Sequence, residues 1–170
     1  MSGAIVLIGA PGAGKTRTGK RVARALGIPH IDTDKRFVAE HGSIAEFFEA
    51  YGEPEFRRIE RELVADAVRE DAIVSLGGGA VLDPATQELL EGLTVIQLTS
   101  SVEAIRERIE REPDEAAKRP LLAGGGVEAW SRLVEARRPI YDRLATVTID
   151  TSHRTFESVA EEVVEWLRNR

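Results

Sequence analysis

Cysteine is absent from the 170-residue chain. That excludes disulfides, thiolate metal sites and thiol nucleophiles together. An excess of positive charge is absent too: the net charge is −6, and no basic stripe offers itself to a nucleic acid. No apolar run approaches the roughly 20 residues of a membrane span, so no membrane partner is expected. The three histidines, His30, His41 and His153, show no metal-like spacing. Repeats and low-complexity tails are missing as well. Met1-Ser2-Gly3 leads straight into a candidate strand, which leaves no room for a signal peptide, and a cytoplasmic protein is expected. What remains is the composition of a soluble globular protein, 42% hydrophobic and 31% charged. The length suits one domain over residues 1–170, large enough for a three-layer α/β core.

The most informative segment present is Gly9-Ala10-Pro11-Gly12-Ala13-Gly14-Lys15-Thr16. It fits G-x-x-x-x-G-K-[ST], the phosphate-binding P-loop, and follows the apolar run Ala4-Ile5-Val6-Leu7-Ile8. Such a loop works when a buried strand delivers it to a helix N-terminus. The glycines let successive N–H groups, here of Gly12, Ala13 and Gly14, form an anion-binding nest at the positive end of the helix dipole. Lys15 is then placed for the β- and γ-phosphates, and the Thr16 hydroxyl for Mg²⁺. The segment reads as a nucleoside-triphosphate site.

Short apolar strands alternate with helical stretches along the whole chain, the pattern of a parallel sheet covered on both faces. Strands are predicted near Ala4–Ile8, His30–Asp32, Ala72–Leu76, Thr94–Leu98 and Thr146–Ile149. Helices are predicted over Lys15–Leu26, Ile44–Tyr51, Glu53–Glu70, Ala85–Leu90, Val102–Arg111, Val127–Arg143 and Phe156–Arg168. Residues 112–126 are polar at one end and glycine-rich at the other. A segment of that kind beside a phosphate site reads as a mobile lid.

Three further constellations carry possible chemistry. The second strand ends Asp32-Thr33-Asp34, which brings two carboxylates to the edge where parallel sheets hold ligands. One could serve the metal's water shell and the other a phosphate acceptor, or Asp34 could simply cap a helix. The third strand ends Leu76-Gly77-Gly78-Gly79, read as a ligand-facing loop rather than a plain turn. Arg57-Arg58 and Arg137-Arg138 each lie on a predicted helix, so each pair contains at least one surface residue.

Taken in order, these segments resemble the shikimate kinase family. The P-loop is followed by Asp32-Thr33-Asp34, Gly42-Ser43-Ile44 with Phe47, Gly52-Glu53 with Phe56-Arg57 and Glu60, Leu76-Gly77-Gly78-Gly79, Arg119-Pro120-Leu121-Leu122, and Arg137 ahead of Pro139-Ile140-Tyr141. The resemblance implies a three-layer α/β/α P-loop kinase with a five-stranded parallel sheet and a mobile lid. It implies ATP-dependent phosphorylation of the shikimate 3-hydroxyl, with substrate-binding helices over about 34–62 and Mg²⁺ as cofactor. By the same resemblance, Lys15, Asp34 and Arg119 are catalytic, and Arg57, Arg137, Gly78 and Gly79 hold the acceptor, with Glu60 holding Arg57. Thr16 and Asp32 serve the metal, Arg119 closes from the lid, and Arg108 and Arg154 flank the adenine. A monomer acting on shikimate and ATP is expected. Two rivals are a kinase of the same fold for another metabolite, such as gluconate, and a regulatory module that binds ATP without transferring phosphate. Phe56-Arg57, the triple glycine and Arg137 favour shikimate, while Asp34 and Arg119 argue against a module without catalysis.

Overall fold

The computed structural model describes residues 3–111 and 126–170. Its elements run β1 Ile5–Gly9, α1 Lys15–Leu26, β2 His30–Asp32, α2 Thr33–His41, α3 Ile44–Tyr51, α4 Glu53–Ala67 and β3 Ile73–Ser75. A 3₁₀ turn at Ala80–Leu82 follows, then α5 Pro84–Leu90, β4 Thr94–Thr99, α6 Val102–Arg111, α7 Gly126–Leu144, β5 Val147–Asp150 and α8 Phe156–Arg168. The five strands form one parallel sheet in the order β2-β3-β1-β4-β5. In its centre Ile5 of β1 stands level with Ile73 of β3 and Thr94 of β4.

All five residues of β1 are buried, as expected of a parallel strand covered on both faces. Alternation sends Val6 and Ile8 to a face shared with Val74, Val95, Val64, Leu90 and Tyr141. Ile5 and Leu7 face the opposite way, toward Val22, Val159, Val163 and Leu167 of α1 and α8. A smaller core lies under α2, α3 and α4, where Phe37 meets Phe47 and Phe56 edge-on. This small core fixes the helices that wall one half of the cleft.

The element types match the sequence reading, and most boundaries fall within a residue or two. Two features differ from that reading. The strand stops at Asp32, as expected, but α2 starts at the very next residue, ahead of the point after Asp34 where a helix is weighed. Asp32 itself is the cap: its Oδ1 accepts the Lys35 N–H at 3.0 Å. Asp34, the residue weighed as a cap, lies in the first turn of that helix. The second is the 3₁₀ turn just after the glycine triplet. The expected helix Glu53–Glu70 ends at Ala67. Pro139 sits inside α7 without ending it. The predicted lid and Arg119 lie outside the described residues, apart from Gly126 at the start of α7. No helix among the described residues is long and apolar enough to cross a membrane.

Candidate active site

The carboxyl edge of the sheet opens on a cleft of about 830 Å³. Its lining brings together Gly12, Gly14, Lys15, Thr16, Asp32, Asp34, Arg57, Gly78, Gly79, Arg108 and Arg137, along with Glu60. Residues from six separate segments meet there, all of them singled out in the sequence.

One half of the cleft is the P-loop. Gly14 caps α1 at φ 92°, ψ 25°, a left-handed conformation in which other residues are strained. A side-chain carbon there would also lie 2.5 Å from the Phe156 ring. Ala13 is fully buried, and its N–H closes the loop on the Ala10 carbonyl at 3.2 Å. The Lys15 ammonium lies along the loop, donating to the carbonyls of Gly9 at 2.7 Å and Ala10 at 3.1 Å. Thr16 donates to Asp32 Oδ2 at 2.5 Å, so hydroxyl and carboxylate share one point beside the nest. Arg108 comes from α6 to donate to the Gly12 carbonyl at 2.6 Å and the Thr151 carbonyl at 2.9 Å. Its guanidinium lies 5.4 Å from the Phe156 ring centre, and that of Arg17 lies at 5.1 Å. Arg154 is not brought into the cleft. It pairs with Glu162 at 2.7 Å and with the backbone of Asp150 and Ser158.

The other half is built around the glycine triplet, and the reason for three glycines is steric. A side-chain carbon on Gly77 would lie 2.5 Å from Asp34 Oδ1. One on Gly78 would lie 3.2 Å from Arg137 Nη1, and one on Gly79 would lie 2.7 Å from Arg57 Nη1. Each glycine makes room for one charged side chain. The arginine pairs divide as helix geometry demands. Arg57 faces inward and donates to Glu60 at 2.7 Å, while Arg58 is half exposed and held by Glu55 and Glu62. Arg137 is buried, whereas Arg138 is 57% exposed and paired with Glu135.

The electrostatics of this half follow from burial. Burial pushes the Glu60 carboxyl up to about 7, and nearby Asp34 adds to that, against the pull of Arg57 and Arg137. Burial works to lower Arg57, but Glu60 and Glu53 hold it above its ordinary value. Burial likewise raises the Tyr141 phenol.

Several positioning residues escaped the sequence reading. The buried Trp130 indole donates to the Pro11 carbonyl of the P-loop at 2.7 Å. The Tyr141 hydroxyl donates to the Gly78 carbonyl at 2.7 Å. Ser75 donates to the Lys15 carbonyl at 2.9 Å and pairs with His30 Nε2 at 2.9 Å. Phe156 stands in the sequence only as a helix start, yet its ring faces Gly14 and the guanidiniums of Arg17 and Arg108. The spacing 130, 137, 141 on one helix face was a legible signal for two of these.

The comparisons with known proteins agree with this arrangement. A family model described as shikimate kinase matches residues 11–168. The shikimate kinase of Rhodococcus jostii (strain RHA1) is 44% identical over 162 residues, covering 94% of each chain. The solved structure of the shikimate kinase of Acinetobacter baumannii in complex with shikimate superimposes with a TM-score of 0.88. It is 29% identical and covers 98% of this chain and 93% of its own. A gluconokinase from Sinorhizobium meliloti 1021 aligns over 98% of this chain and 92% of its own, at a TM-score of 0.63 and 18% identity, a likeness of fold alone. The chain belongs to the shikimate kinase family.

Proposed function

We propose that this chain transfers the γ-phosphoryl group of ATP to the 3-hydroxyl of shikimate, giving shikimate 3-phosphate and ADP, a step toward chorismate and the aromatic amino acids. It acts as one kinase domain over its whole length. The observation that carries the reading is the pair of inward arginines, Arg57 and Arg137, set against the glycine triplet across the cleft from the P-loop. Two guanidiniums give planar, charge-assisted hydrogen bonds to a carboxylate. The neighbouring Asp34 then takes the acceptor hydroxyls.

The nest of Gly12, Ala13 and Gly14 receives the phosphates, and Lys15 leaves its loop carbonyls for the γ-phosphoryl oxygens. Phe156 and Arg108 offer a ring face and a guanidinium to the base, a surface to which Arg154 does not contribute in this structure. The shared point of Thr16 and Asp32 suits Mg²⁺, which accepts one or two protein oxygens and keeps water for the rest. Held there by Thr16 and Asp32, it would neutralise charge on the phosphate oxygens. Asp34 holds the 3-hydroxyl and takes its proton as the oxygen bonds to the γ-phosphorus. The bond from that phosphorus to the bridging oxygen breaks, and ADP leaves with the electron pair. Arg119 completes the charge around the transferring group. Catalysis here is positioning and electrostatics, since phosphoryl transfer needs little covalent help.

ADP release coupled to a spectrophotometric readout, with shikimate, gluconate or no acceptor, tests the assignment. Turnover with shikimate alone is expected. Equal rates with gluconate, or a rate independent of acceptor, would overturn it.

A further inference from the structure

The acceptor half of the cleft carries a balance of charge that a substrate carboxylate would upset. Among the described residues, Arg57 on α4 and Arg137 on α7 supply two positive charges there. Glu60 on α4 and Asp34 on α2 supply two negative ones. Glu60 is 5% exposed and Arg137 8%, so unbalanced charge on these two side chains is poorly screened by solvent. Glu53 also reaches Arg57, at 3.4 Å, but it is 59% exposed at the rim, where solvent screens it. Tyr141, beside Arg137 on α7, is a phenol and uncharged in this range, and burial raises it further. Lys15 lies at the phosphate end of the cleft, where it is committed to the P-loop.

A carboxylate seated between the two guanidiniums makes three negative charges against two positive. One proton restores the balance. Asp34 is needed by the acceptor hydroxyl, and Glu60 is the buried carboxylate that meets Arg57, so the proton falls to Glu60. Burial has already brought this carboxyl to about 7, and a third carboxylate nearby drives it further up. Protonation also frees Arg57. A neutral Glu60 still accepts one N–H, but it no longer competes as an anion for the guanidinium fork.

We propose that shikimate enters together with one proton, taken up by Glu60, so that Glu60 sets the charge of the pocket to suit a monoanionic acceptor. Glu60 is a positioning residue in this scheme: it acts through Arg57. The inference rests on the assignment of the shikimate carboxylate to Arg57 and Arg137 made above.

Titration calorimetry of shikimate into the full chain decides it. Measurements at one pH in two buffers of different ionisation enthalpy give the number of protons taken up. At pH 8 most of one proton is expected on binding, falling toward zero at pH 5.5, where Glu60 already holds it. Between pH 7 and 9 the dissociation constant should rise by up to about tenfold per unit, the limit for one linked proton. Glu60→Gln keeps the shape and fixes the neutral state, so it should bind without proton uptake and with a flat pH profile. Shikimate binding to the unmodified chain at pH 8 with no net uptake overturns the proposal. So does uptake that persists in Glu60→Gln. Should that variant fail to fold, the two-buffer measurement on the unmodified chain decides alone. A chain that binds ATP but gives no heat with shikimate at any pH overturns the acceptor assignment itself, a different and recognisable failure.

Discussion

Individual side chains in this cleft differ more by direction than by kind. Arg57 and Arg58 share a helix, a chemistry and a charge, yet one is bound to buried Glu60 and the other to two exposed carboxylates. Arg57→Ala and Arg137→Ala should therefore each weaken shikimate binding by about 1.5–3 kcal/mol, the worth of a hydrogen bond to a charged group. ATP affinity should stay within a few-fold. Arg58→Ala and Arg138→Ala remove surface ion pairs worth about 0–1 kcal/mol and should leave both affinities near those of the parent chain. Equilibrium titration of the four variants separates the outcomes, and equal loss in Arg57→Ala and Arg58→Ala would contradict the orientation seen here. Lys15→Ala removes a charge needed most as the phosphoryl group moves. It should lower kcat by about 10²–10³, or 3–4 kcal/mol, with an unchanged circular dichroism spectrum.

At the scale of elements, the start of α2 decides what each carboxylate can do. Because the helix begins directly after β2, Asp32 both caps it and meets Thr16, while Asp34 turns toward Gly77 and the acceptor half. Asp32→Asn should still cap, since asparagine caps as well as aspartate, but it should raise the Mg²⁺ concentration for half-maximal rate. Asp34→Asn should lower kcat by about 10²–10⁴, the usual worth of a general base, with little change in the Mg²⁺ requirement. A Mg²⁺ titration of the two variants checks both; rescue of Asp34→Asn but not Asp32→Asn would exchange the two roles. The same junction shows what the sequence conveyed and what it did not. The P-loop, the glycine triplet and the strand-helix alternation are local patterns with local causes, and they were legible. The cap was not, because Asp32-Thr33-Asp34 satisfies strand alternation and helix initiation equally. The packing of Phe37 against Phe47 and Phe56, which is not local, favours the helix. The contacts of Trp130 and Tyr141 were hidden for another reason: each joins residues more than 60 positions apart.

Taken as a whole molecule, the chain carries an active-site group that bears on its own stability. Glu60 is raised in the folded state from its ordinary value of 4.5 to about 7. Between those values the native chain holds a proton that the unfolded chain has released, so stability due to this group is greatest below 4.5 and declines up to about pH 7. The slope within that window is at most about 1.4 kcal/mol per pH unit. His30 acts in the opposite sense. Burial lowers it below 6.5, so stability is lost as the pH falls and the unfolded chain takes up the proton first. The difference in Tm between the parent chain and Glu60→Gln isolates the first effect. It should grow in favour of the variant from pH 4.5 to 7 and then level off. A constant difference across that range would place Glu60 at an ordinary carboxylate value.

Helix α7 gives the molecule something closer to a caliper. Trp130 fixes the P-loop, Arg137 lies in the acceptor half and Tyr141 fixes the glycine loop. The three positions return to one face because seven and eleven residues are close to two and three helical turns. The span from Trp130 to Tyr141 is about 16 Å at 1.5 Å per residue, and it sets how far apart the two halves of the cleft stand. One inserted or deleted residue within that interval would swing Tyr141 by about 100° and part the two jaws. Change in the chain's length is thus forbidden along this stretch of helix, however freely the surface residues between the three anchors are exchanged.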